Sequence, residues 1–154
     1  MTQYILSNKE MAKADLLTIE SGISSLDLMF NAGKKVFNNL PVQRGKRALF
    51  ICGPGNNGGD GYVAADLLLK QGMEIDIYCP ISKAKESNDN LYYKQKLNKS
   101  LFVTKIKSLS NYCYVVDALF GTGLSRTMSN DLSSLVHNIN QSKLDVYSVD
   151  IPSG

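Results

Sequence analysis

The chain has 154 residues, 44% of them hydrophobic and 20% charged, the size and composition of one globular domain with a sizeable core. A net charge of +3 without a dense lysine cluster argues against nucleic acid or a membrane surface as partner. No apolar run approaches the ~20 residues of a membrane span, and Met1 to Leu6 lack the basic and apolar regions of a signal peptide. Cys52, Cys79 and Cys113 sit in or beside predicted strands without metal-ligand spacing, so they read as buried, reduced thiols of a cytoplasmic protein.

Ser7-Asn8-Lys9-Glu10 is a capping box opening a helix over about Asn8 to Glu20, with Met11, Ala14 and Leu17 or Leu16 expected inward. Ser24 to Asp27 open a second helix, whose stripe Leu26, Met29, Phe30, Gly33, Val36, Phe37 and Leu40 keeps helical spacing. Arg47 to Cys52 is the first strand. The glycine-rich stretch Gly53 to Gly61 follows, then a helical pattern from Tyr62, with Gly72 just past its end. Met73 to Cys79 is a second strand, Asn88 to Asn98 a polar helix, Leu101 to Ile106 a third strand and Tyr112 to Phe120 a fourth. Asp131 to Gln141 is a helix with Leu132, Leu135, Val136 and Ile139 inward, and Leu144 to Val149 is the last strand. This alternation predicts an α/β fold, a Rossmann-like three-layer α/β/α sandwich with a mainly parallel sheet. The chain stops at Gly154, directly after a strand and with no covering helix, so residues 1–154 are expected to be a single domain truncated at its C-terminus.

Ligands of such sheets sit beyond the carboxyl ends of the strands. Three polar segments fall there: Gly53 to Gly61, Asp117 with Gly121 to Arg126, and Asp150 with Ser153. Five glycines with Asn56, Asn57 and Asp60 between a strand and a helix suit an anion, through free amides, positive φ and close backbone approach. Gly53, Gly55 and Gly58 match the dinucleotide fingerprint, but the spaced acid, Asp76, lies inside a strand, which disfavours a standard dehydrogenase; no Gly-Lys-Ser/Thr closes a P-loop. Asn57, Asp117 and Ser153 offer only oxygen donors, fit for a hard cation, although Asp117 alone reads equally as a capping carboxylate. Arg126 is a phosphate partner or a surface residue, and His137 a solvated one.

The segments 55–61, Val116 to Leu124 and Val149 to Gly154 resemble the three signature segments of the NAD(P)H-hydrate epimerase family, also known by its YjeF N-terminal domain. Leu28-Met29 and Ala32-Gly33 resemble its opening helices, so the likeness spans nearly the whole chain. The resemblance implies an isomerase that interconverts the R and S epimers of hydrated NADH or NADPH for cofactor repair. By motif position, Asn56, Asn57, Gly58, Gly59, Asp60, Gly121, Thr122, Gly123, Leu124, Ser125, Arg126, Thr127 and Asp150 would bind the hydrate. Asn57, Asp117 and Ser153 would hold potassium; Thr127 stands where the family often has proline. Asp150 is the first choice for the acid–base group, with a hold on a ribose hydroxyl as its other role. The resemblance also implies a homodimer in many members and a fused or separate dehydratase in some. Competing readings are a non-catalytic scaffold of the same fold, which should lack the pocket's polar groups, and an oxidoreductase, which would change absorbance at 340 nm.

Overall fold

The computed structural model describes residues 7–81, 84–122 and 127–154. Five strands make one sheet with every neighbouring pair parallel, in the order β3-β2-β1-β4-β5. They are β1 (Arg47–Cys52), β2 (Glu74–Tyr78), β3 (Phe102–Val103), β4 (Tyr114–Ala118) and β5 (Asp145–Ser148). The helices are α1 (Asn8–Glu20), α2 (Ser25–Asn38), α3 (Asn56–Lys70), α4 (Asn88–Lys96) and α5 (Asn130–Gln141). The order reverses between β1 and β4, whose carboxyl ends therefore open a crevice between outgoing connections.

Central parallel strands are covered on both faces, so β1 and β4 are almost continuously apolar and buried. On one face Phe50, Ile77, Tyr114 and Val116 meet Tyr62 and Leu68 of α3, with Val36 and Phe37 of α2 and Tyr93 of α4 closing over them. On the other, Leu49, Ile51 and Val115 meet Ile139, with Leu132 and Leu135 of α5 alongside. Serine hydroxyls cap α1, α2, α4 and α5, and the predicted box is present, Ser7 N donating to Glu10 Oε2 at 2.7 Å.

Five expectations need correction. Met11, Leu16 and Leu17 are 51%, 56% and 54% exposed rather than inward, because α2, α3 and α4 already close that side of the sheet. Phe30 of α2 is also exposed, and of the cysteines only Cys52 is fully buried; all three are free. The third strand shrinks to two residues at the sheet edge. Finally, α3 starts at Asn56, so most of the predicted loop is helix.

That early start changes what the glycines are for. None of the five has positive φ; among the described glycines only Gly22, Gly45 and Gly72 do, the last of these just beyond the C-cap of α3. They permit close approach instead. A Cβ on Gly58 would lie 2.0 Å from Gly53 O, one on Gly59 2.3 Å from Met29 Sδ, and one on Gly61 2.7 Å from Ala118 Cβ. Gly53 itself would meet Leu119 O at 1.9 Å. The first turns of α3 are thus pressed between β1, β4 and α2 with no room for side chains. Gly58→Ala should cost about 3 kcal/mol in denaturant unfolding. Gly55→Ala, where an added Cβ meets nothing within 4 Å, should cost less than about 1 kcal/mol.

Candidate active site

Asp117 is the penultimate residue of β4, and its carboxylate joins two loops. Oδ1 accepts from Ser153 Oγ at 2.7 Å and Leu119 N at 3.2 Å, while Oδ2 accepts from Ser153 N at 2.8 Å. Ser153, only 7% exposed, in turn accepts at Oγ from Phe120 N at 3.2 Å. Phe120 O accepts from Asn57 Nδ2 at 2.9 Å. Asn57, Phe120, Ser153 and Asp117 therefore form one continuous chain of hydrogen bonds across three segments, the trio picked from sequence among them.

The same turn faces Asp150, which follows β5 in the left-handed region at φ +67°. Few residues with a side chain adopt that conformation readily, and aspartate is one of them. Its Oδ2 accepts from Thr122 N at 3.1 Å. A Cβ on Gly121 would stand 3.0 Å from Asp150 Oδ2 and 3.4 Å from Asn57 Oδ1, so the absent side chain leaves these two oxygens facing a shared space.

The donor set fits a hard cation. Asn57 spends its amide nitrogen on Phe120 O, which leaves Oδ1 without a partner among the described residues. Asp117 and Ser153 add a carboxylate and a hydroxyl, so all three groups would offer oxygen to such an ion. Among the described residues there is no cluster of three His, Cys, Asp or Glu able to hold a metal.

Asp60 lies one turn beyond Asn57 on the same side of α3. Burial above all, then the carboxylates of Asp150 and Asp15, push its carboxyl up from 3.8 to about 7. Asn56 is exposed, with Oδ1 accepting from Ser87 Oγ at 2.7 Å, whereas Gly58 and Gly59 are buried beneath it. Thr122 and Thr127 are exposed; Gly123, Leu124, Ser125 and Arg126 lie outside the described residues. His137 is exposed on α5, as expected. Two cavities adjoin the rim. One of about 210 Å³ runs under Asp117 between α5 and the sheet, and one of about 480 Å³ runs from Lys35 past Tyr147 to Asp150.

Two residues at this site had no signal in the motifs. Ser87 is visible only as a helix cap. Asn90, wholly buried inside a helix that reads as polar, donates from Nδ2 to Gly53 O at 3.1 Å and Gly55 O at 2.7 Å.

The profile of the family described as YjeF-related protein N-terminus matches residues 25–154. The chain belongs to this family. A protein of Oenococcus oeni named NAD(P)H-hydrate epimerase is 36% identical over 160 aligned residues, covering all of this chain and 76% of that one. Another of that name, from Lentilactobacillus buchneri, is 33% identical over all of this chain and 74% of its own. The crystal structure of yeast ynu0, YNL200c, superposes with a TM-score of 0.77 at 26% identity, covering 99% of this chain and 72% of the yeast one. The family likeness thus takes in every segment that contributes to the rim.

Because Asp60 holds its proton longer in the folded chain than in the unfolded one, this one group costs the fold nothing below about pH 4 and increasingly more as the pH rises toward 7. The loss amounts to roughly 4 kcal/mol at most. Asp60→Asn should therefore raise the thermal midpoint at about pH 8 and leave it nearly unchanged at about pH 4, as calorimetry at the two values would register.

Proposed function

We propose that this chain interconverts the R and S epimers of hydrated NADH or NADPH, a cofactor-repair isomerase assisted by potassium. The observation that carries the reading is the hydrogen-bonded chain from Asn57 through Phe120 and Ser153 to Asp117, with Asp150 facing the same turn. The relatives named NAD(P)H-hydrate epimerase support the same conclusion. A scaffold that binds nothing has no use for an asparagine carbonyl and a carboxylate aimed at one glycine.

The substrate dictates the chemistry. Inverting C6 of the hydrated nicotinamide requires its hydroxyl to leave and water to return on the opposite face, the ring nitrogen stabilising the cation between. Asp150 keeps one oxygen on Thr122 N, which orients the group, and its Oδ1 is left to give a proton to the departing hydroxyl and reclaim one from water. The first amides of α3, with the helix dipole behind them, receive the diphosphate. A potassium ion held by Asn57, Asp117 and Ser153 would offset diphosphate charge and stiffen the 119–122 turn. Product of the S form suits a dehydratase selective for that epimer, as a separate or fused partner.

Incubation of the purified chain with the R epimer, followed by chromatographic separation, should show approach to the R/S equilibrium well above the spontaneous rate, without a change in absorbance at 340 nm. Asp150→Asn should lower kcat by at least about 100-fold; near-normal turnover would remove Asp150 as the proton carrier. Exchange of potassium for sodium should weaken substrate binding several-fold, and unchanged KM would argue against the cation's part.

A further inference from the structure

Asn56 and Asn57 are neighbours held in opposite senses. Asn57 gives its nitrogen to Phe120 O and keeps a carbonyl oxygen. Asn56 has its carbonyl oxygen tied to Ser87 Oγ at 2.7 Å and keeps its nitrogen. Ser87 Oγ is the donor in that second bond, and as the N-cap of α4 it also accepts from Asn90 N at 3.4 Å.

Ser87 belongs to a wider grip on the turn after β1. Its own N–H donates to Pro54 O at 3.0 Å. Asn90 Nδ2 reaches Gly53 O and Gly55 O, and reversing that amide would aim its oxygen at two carbonyls, so its orientation is settled. Asn90 Oδ1 is buried without a partner among the described residues, a cost tolerated where the nitrogen does so much. Every residue from Gly53 to Asn56 is thereby held from the N-cap and first turn of α4, which lie outside the three segments that resemble the family's signatures.

We propose that Ser87 is a positioning residue that fixes Asn56 as a hydrogen-bond donor, on a turn clamped by Asn90, and that the group Asn56 receives is a phosphate oxygen of the ligand. The two asparagines then divide the charges: Asn57 turns a carbonyl toward the cation and Asn56 turns an amide toward the anion. The identity of the ligand rests on the epimerase reading; the clamp does not.

The test uses the whole chain with Ser87→Gly, Ser87→Thr, Asn56→Ala, Asn56→Asp and the Ser87→Gly/Asn56→Ala pair. Glycine is tolerated at an N-cap, so its effect reports the lost hydroxyl more than a frayed helix. Ser87→Gly should raise KM for the hydrate about five-fold with kcat within about two-fold, and Ser87→Thr should restore the wild-type value. In the Asn56→Ala background Ser87→Gly should add nothing, whereas multiplied effects would overturn the assignment. Asn56→Asp, which offers only acceptors, should raise KM more than Asn56→Ala; an equal or smaller rise would refute the donor role. If wild type does not epimerise the hydrate, the functional reading fails, and amide hydrogen exchange decides the clamp separately. Faster exchange of the bonded Gly53 and Gly59 amides in Ser87→Gly, at an unchanged thermal midpoint, supports it; unchanged exchange overturns it.

Discussion

The carboxylate of Asp117 is the constraint on which the rim depends. It accepts three hydrogen bonds from two loops, one leaving its own strand and one leaving β5, and so fixes both exits relative to the sheet. A charged acceptor makes such bonds stronger than neutral ones, and partial burial shields them from water. Through Ser153 and Phe120 the same anchor reaches Asn57 on α3, and the β4 backbone holds Gly53 N at Ala118 O. Three connections that are far apart in sequence are thereby locked into one geometry without a disulfide among the described residues.

The second constraint is steric. Glycines 53, 58, 59 and 61 bring the first turns of α3 into contact with β1, β4 and α2. Only because the helix sits so deep do its opening amides and Asn57 arrive level with the strand ends. Close packing and site geometry are here the same fact. Asn90 completes it from α4, donating to Gly53 O and to Gly55 O, the latter also accepting from Gly59 N.

Much of this could be read from the residues. Parallel strands appeared as apolar runs, β1 with the right bounds, and serine caps marked helix starts because capping chemistry is local. The convergence of Asn57, Asp117 and Ser153 was legible because strand carboxyl ends in a parallel sheet share one rim. The α3 boundary was not, since glycines read as a loop by propensity and become helical only through tertiary packing. Nor was the exposure of Met11 and Leu17, because periodicity says which residues share a face and not whether that face finds a partner. Ser87 and Asn90 were hidden for a related reason: an amide that bonds backbone carbonyls leaves no spacing rule behind.

The double use of the glycines has a bearing on how descendants of this architecture should be sorted. A lineage that gave up its ligand would still be unable to place a methyl group at position 58 or 61 without unseating α3, so those positions would persist as fossils of packing. Retention of the glycine run is consequently a poor witness to chemistry. Better witnesses are the exposed side chains of Asn56 and Asp150, whose ties to the framework are hydrogen bonds with Ser87 Oγ and Thr122 N rather than close packing.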